Sequence, residues 1–184
     1  LPFHYCYGNS VLHTHLCVGG EVILVGSMAF PQDIVNNLHK FKASGFYGVP
    51  STYNLFLQRS DWANNPPLLR YLAQAGGPMG KNLTEKLKHA CKPETKIFVM
   101  YGQTEAAARI SWLSPDLLIK KLGSVGIPLD GISLEIRDEN GRKVDNNLKG
   151  EVYVSGPNIM RGYWENTKAT NETLMTYHDA CQKA

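Results

Sequence analysis

Over its first hundred residues the chain alternates short apolar runs with amphipathic stretches of helical spacing, and no other feature restricts its fold as much. Residues 21–25 (EVILV) are short, β-branched and preceded by Gly19-Gly20, which predicts a buried strand. Pro31 opens a stretch in which Ile34, Val35, Leu38 and Phe41 recur every three or four residues, the signature of a helix, with Gly45 as its stop. Residues 46–49 predict a second strand, and Pro50-Ser51-Thr52 starts a helix carrying Tyr53, Phe56 and Leu57. After the loop at Asn64-Asn65-Pro66-Pro67, residues 69–73 predict a third strand running into Gly76-Gly77-Pro78. Residues 82–91 predict a helix with Leu83 and Leu87 on one face, and residues 95–100 (TKIFVM) a fourth strand. Strands separated by helices demand crossover connections, hence a parallel sheet.

The pattern changes after about Leu122. Residues 132–137 (ISLEIR) and 150–155 (GEVYVS) alternate apolar and polar positions, with a turn at Glu139-Asn140-Gly141. The expected fold class is α/β: a parallel βαβ sheet with flanking helices over residues 1–120, then a β-rich antiparallel subdomain over residues 121–184.

Composition removes several classes of function. A hydrophobic fraction of 43% can form a core. The 19 Lys+Arg against 16 Asp+Glu leave a scattered net charge of +3, too weak for a nucleic-acid partner. No apolar run approaches the roughly 20 residues of a transmembrane segment, and residues 1–8 do not read as a signal peptide. Cys6, Cys17, Cys91 and Cys181 form no C-x-x-C pair, so they are expected as free thiols in a reducing, cytoplasmic setting. His13 and His15 stand two apart, a spacing that shares no helix face and argues against a common metal. The sequons at Asn82 and Asn171 read as chance matches.

In an open parallel sheet, ligands bind at the carboxyl ends of the strands. The third strand ends in Gly76-Gly77-Pro78 and the fourth in Tyr101-Gly102-Gln103-Thr104-Glu105-Ala106. There Gly102 permits a sharp turn, Thr104 can cap a following helix whose N-terminus suits an anion, and Glu105 adds a carboxylate. A carboxylate beside a phosphate makes sense when a divalent cation bridges them. The same residues also make an ordinary helix start, with Thr104 a plain cap and Glu105 a first-turn acid. No G-x-G-x-x-G and no G-x-S-x-G occurs, and Ala75–Asn82 fails as a Walker A loop because Asn82 replaces the Ser/Thr. Lys81 reads as a solvated residue near a helix start.

Tyr101-Gly102-Gln103-Thr104-Glu105 resembles the Y-G-x-T-E signature of adenylate-forming enzymes, the superfamily of acyl-CoA synthetases, luciferases and adenylation domains. Further matches follow in the family's order. Leu1-Pro2-Phe3-His4 with Gly8 resembles the L-P-x-x-H…G segment, and Ala75-Gly76-Gly77-Pro78-Met79 the glycine-rich adenine-binding turn. Gly123-Ser124-Val125-Gly126 with Pro128 is similar to the segment before the β-subdomain. The stretch from Gly150 to Pro157, then Gly162-Tyr163-Trp164, is similar to G-E-x-x-x-x-G-P…G-Y-W.

The resemblance implies a two-step reaction. A small-molecule carboxylate attacks the α-phosphate of ATP to give an acyl-adenylate and pyrophosphate, and a thiol, from coenzyme A or a carrier-protein pantetheine, then displaces AMP. It implies that Thr104 bonds the phosphate, that Glu105 holds Mg²⁺, and that Gly76, Gly77, Pro78, Tyr101, Gly102 and Gln103 border ATP or AMP. It places His4 and Gly126 at the acyl-substrate pocket. Gly150, Gly156 and Gly162 are read as turn residues, and Tyr163-Trp164 as packing on the sheet.

Three elements of the family pattern are absent: the Ser/Thr/Gly-rich phosphate loop, the T-G-D of the ribose site, and the mobile domain with its catalytic lysine. Asp179 lacks the preceding Thr-Gly and receives no ribose role. The chain is therefore expected to be an internal fragment of an AMP-forming acyl-CoA synthetase, a ligase, inactive in isolation. Gln103, where peptide-synthetase adenylation domains often carry proline, favours the acyl-CoA synthetases. A stand-alone enzyme that loads a carrier protein and a non-catalytic nucleotide- or acyl-binding module are the alternatives.

Overall fold

The computed structural model describes residues 1–175; Asp179 and Cys181 lie outside them. The chain opens with α1 (Cys6–Leu16) and α2 (Pro31–Lys40), then alternates β1 (Gly45–Gly48), α3 (Pro50–Arg59), β2 (Tyr71–Gln74), α4 (Lys81–His89) and β3 (Lys96–Tyr101). Two short strands follow, β4 (Ser111–Leu113) and β5 (Ile127–Pro128), then the hairpin pair β6 (Ser133–Arg137) and β7 (Glu151–Ser155), and α5 (Thr167–Thr173). The first sheet has the order β1-β2-β3-β4-β5. Its β1, β2 and β3 are parallel, as the crossover helices require, whereas β4 and β5 join antiparallel. The second sheet is the antiparallel pair β6-β7.

Several boundaries differ from the expectation, each for a physical reason. Residues 21–25 form no strand among the described residues. Ile23 and Val25 pack against the core while Leu24 between them is exposed, so the apolar run satisfies burial without a ladder. Gly45 does not close α2; Lys42 takes the left-handed conformation (φ 49°) there, and Gly45 already belongs to β1. At Gly45 a Cβ would instead have to displace the Tyr71 ring that lies across the strand. The strand β4 has no long apolar run to announce it, and β5 carries the first sheet past residue 120.

Helices α2, α3 and α4 cover one face of the first sheet. Ile34, Val35 and Leu38 of α2, Tyr53 and Phe56 of α3, and Leu87 of α4 close over Leu72 and Ile97. Phe56 stacks on Trp62 with ring centroids 5.0 Å apart, and the Tyr53 hydroxyl donates to the Ala73 carbonyl at 2.6 Å. Phe56 is fully buried. Phe56→Ala is therefore expected to cost about 3–5 kcal/mol, read as a fall in the urea midpoint at unchanged slope. Burial also pushes the Cys91 thiol up to about 11, so it remains protonated at neutral pH. No helix among the described residues is long and apolar enough to cross a membrane.

Candidate functional site

The carboxyl ends of β2 and β3 open into a cavity of about 830 Å³. One wall is the turn after β2. Gly76 adopts φ +82°, a backbone conformation that strains any other residue, and a Cβ there would also have to displace the Tyr5 hydroxyl just ahead of α1. The Gln74 side chain holds the turn by donating Nε2–H to the Gly77 carbonyl at 2.7 Å. Its Oε1 is buried without a partner among the described residues, a free acceptor in a residue of the cavity wall.

The opposite wall is the loop after β3. Gly102 passes so close to the Ala108 carbonyl that a Cβ could not be placed. Thr104 does not cap a helix. Thr104–Ala106 is a single 3-10 turn, ended because Ala107 and Ala108 are both left-handed (φ 50° and 70°). Two consecutive non-glycine residues in that region store strain, each of order 1 kcal/mol or more, which surrounding contacts must offset. Those contacts are visible. Ile110 N–H donates to Tyr101 O at 2.8 Å and Ala108 N–H to Gln103 O at 3.0 Å. Asn158 donates to the carbonyls of Ala106 at 2.9 Å and Arg109 at 3.2 Å, and Met160 N–H to Glu105 O at 2.8 Å.

The strained loop presents its side chains to the cavity. Thr104 is exposed, and its hydroxyl donates to Cys6 Sγ at 3.3 Å. Glu105 Oε1 accepts a 2.6 Å hydrogen bond from the Tyr163 hydroxyl. That bond is the main cause holding the Glu105 carboxyl below its ordinary range, so it is ionised at neutral pH. Tyr163 is thus no packing residue on the sheet, and Trp164 is 90% exposed. The aromatic pair was visible in the sequence, but its contact with a loop 58 residues earlier was not. Tyr163→Phe is expected to return the Glu105 pKa upward toward the ordinary carboxylate value. Because the folded-state value is depressed, the associated stability is present above the unfolded pKa and lost as pH falls through the folded one. Carboxyl-carbon NMR titration of the pair of proteins reads the shift; an unchanged Glu105 value would refute the assignment.

The cavity wall includes Gly76, Gly77, Pro78, Tyr101, Gly102, Gln103, Thr104 and Glu105. His4 and Gly126 lie outside it. His4 is exposed, and its neighbours Tyr5, Cys6 and Tyr7 line the cavity, one residue along at the start of α1. Gly126 instead turns the chain into β5 (φ +80°), where a Cβ would collide with the Trp112 carbonyl. Tyr5, Cys6, Gln74 and Tyr163 were missed by the sequence reading. The cue for Tyr5 was the L-P-x-x-H pattern itself, whose fifth position counted from Leu1 is Tyr5 and not His4.

The family model for the AMP-binding enzyme matches residues 1–164. The chain belongs to this family. A 2-succinylbenzoate–CoA ligase of Bacillus cytotoxicus is 31% identical over 95% of the chain and 35% of its own length. A feruloyl-CoA synthase of Amycolatopsis is 30% identical over 94% of the chain and 34% of its own length. Among solved structures, an O-succinylbenzoate coenzyme A synthetase from Bacillus subtilis in complex with AMP superposes with a TM-score of 0.81 at 26% identity. That match covers 96% of this chain and 35% of the synthetase. The same synthetase has been solved with ATP and magnesium ion. The chain thus spans about a third of the length of the relatives it matches, and the α/β fold with its mostly parallel first sheet is that of their AMP-binding portion.

Proposed function

We propose that this chain supplies the adenine and magnesium side of an active site that activates a carboxylate as its acyl-adenylate, within an AMP-forming acid–thiol ligase. The observation that carries the reading is the Thr104-Glu105 pair, held by a strained loop at the mouth of a cavity whose other wall is a glycine turn. Gly76, Gly77 and Pro78 with Tyr101 flank the base, and Gly102 and Gln103 border the nucleotide. The Thr104 hydroxyl exchanges its weak thiol acceptor for a phosphate oxygen. Glu105 keeps one oxygen on Tyr163 and offers the other to Mg²⁺.

The residues fit that ion by chemistry. No group of three or more His, Cys, Asp or Glu capable of holding a metal occurs among the described residues, and magnesium is ordinarily held by one or two carboxylates plus phosphate oxygens and water. When bound, Mg²⁺ neutralises charge on the triphosphate. The protein's own share is to position ATP against the acid and to keep Glu105 ionised.

The acceptor thiol is proposed to be that of coenzyme A, since the relatives are named as CoA ligases and a CoA synthase. A cytoplasmic location and a division into an α/β part and a β-rich part complete the reading. A longer polypeptide carrying this sequence is expected to catalyse carboxylate-dependent exchange of pyrophosphate into ATP, and the 184-residue chain alone to catalyse none. Exchange by a pure sample of the chain, or none by the longer protein with any of a panel of acids, would contradict the proposal.

A further inference from the structure

A second cavity, of about 440 Å³, shares no lining residue with the first, and two extended segments run along it. One is residues 21–25; the other is Ser44 with Gly45, Phe46 and Tyr47 of β1. β1 ends the first sheet and pairs with β2 alone. Ser44 and Gly48 turn their carbonyls to the β2 side, accepting from Arg70 N–H at 2.8 Å and Ala75 N–H at 3.4 Å. Alternation then turns the peptide groups of Gly45 and Tyr47 to the free edge. Residues 21–25 make no backbone hydrogen bond to any described residue. Two lines of peptide groups thus border the gap with no protein partner, a state that native sheets rarely leave uncovered.

The chemistry of the lining suits a single strand. Ile23, Val25, Leu38 and Phe46 belong to the helix-side core and bound the gap on one face. Tyr47 and Tyr71 alternate with Phe46 and Leu72 along their strands, so they bound it on the other, with Val11 and His15 of α1. The side-chain polar groups there have partners. His15 Nδ1 lies 2.7 Å from the Val11 carbonyl, and its Nε2 lies 3.3 Å from the Tyr71 hydroxyl. Glu21, exposed, is the one Asp, Glu, Lys or Arg in the lining. What the gap leaves unanswered is therefore backbone, between two largely apolar faces. A strand bonded along both edges and covered on both faces meets that demand, and such strands are apolar throughout.

We propose that this gap is a strand-acceptor site. It takes one extended apolar strand, which pairs with β1 on one edge and with residues 21–25 on the other and joins them into one sheet. The strand is supplied by the rest of a longer polypeptide carrying this sequence. Two observations favour that source: the chain spans about a third of the length of its relatives, and Leu1, Pro2 and Phe3 lead from the gap into α1. The proposal also accounts for residues 21–25, which have the composition of a strand and lack the neighbour that would make them one. It is independent of the chemistry at the nucleotide cavity.

The test is titration of the 184-residue chain with a short end-blocked peptide of alternating valine and isoleucine between lysines, followed by amide hydrogen exchange. Saturable one-to-one binding is expected. In the complex the amides of residues 21–25, Gly45 and Tyr47 are expected to exchange at least about tenfold more slowly, and those of β6 and β7 at an unchanged rate. The same peptide N-methylated at alternate residues keeps its apolar surface and loses the donors of one edge. It is expected to bind at least about tenfold more weakly. In the longer polypeptide the same amides are expected to be protected without peptide. Absence of binding, or equal binding of the N-methylated peptide, would overturn the strand site. Protection that arises on dimerisation of the peptide-free chain would overturn it in favour of a second copy as the occupant. Unprotected amides in the longer polypeptide would overturn the assigned source of the strand.

Discussion

Gly102→Ala is expected to destabilise the protein by about 3–4 kcal/mol, the scale of the largest single-site effects. The cause is steric and local. An alanine Cβ would fall on the Ala108 carbonyl, which is backbone and has no rotamer through which to yield. The loop can accommodate the methyl group only by releasing the bonds from Ile110 to Tyr101 and from Ala108 to Gln103. Those bonds keep two alanines in the left-handed region, so the loop that presents Thr104 and Glu105 would relax as a unit. Gly80→Ala is the matched control, since a Cβ there meets nothing within 4 Å. Urea unfolding of the two variants separates a steric effect from a general cost of replacing glycine. Equal midpoints would show that the close approach does not hold the loop.

The second large effect is expected at Glu105. In a longer polypeptide with exchange activity, Glu105→Ala should lower carboxylate-dependent ATP–pyrophosphate exchange by roughly a hundredfold or more, the usual cost of losing a group that answers transition-state charge. Tyr163→Phe should cost less, because the carboxylate remains and only its orientation and acidity change. Raising the magnesium concentration should recover part of the Tyr163→Phe defect and little of the Glu105→Ala defect. Wild-type exchange by Glu105→Ala at limiting magnesium would remove the metal role from this residue.

The parts of this molecule legible in the sequence were those governed by local periodicity. The α2 stripe of Ile34, Val35 and Leu38 is buried as its spacing dictates, and the two alternating stretches pair as the antiparallel strands β6 and β7. Residues 21–25 misled because an apolar β-branched run signals burial, whereas a strand also needs a hydrogen-bonded neighbour. At the site, Gly76, Gly77, Tyr101, Thr104 and Glu105 stood in recognisable motifs at strand ends. Tyr163 did not announce its role, because its significance lies in a contact made across the fold. Gln74 was hidden for a different reason: it reads as one more position in a buried strand, and only the fixed direction of its amide leaves an acceptor free. His4 and Tyr5 show the limit of motif matching, since the histidine position of L-P-x-x-H counted from Leu1 falls on Tyr5, and it is Tyr5 that lines the cavity.

The central claim is that this chain holds the magnesium-dependent half of a nucleotide site. Calorimetric titration of the 184-residue chain with ATP, with and without magnesium, tests it most directly. Saturable one-to-one binding that tightens about tenfold or more with magnesium, and a magnesium effect lost in Glu105→Gln, is the expected result. Binding that is indifferent to magnesium, or a magnesium effect that persists in Glu105→Gln, would contradict the account.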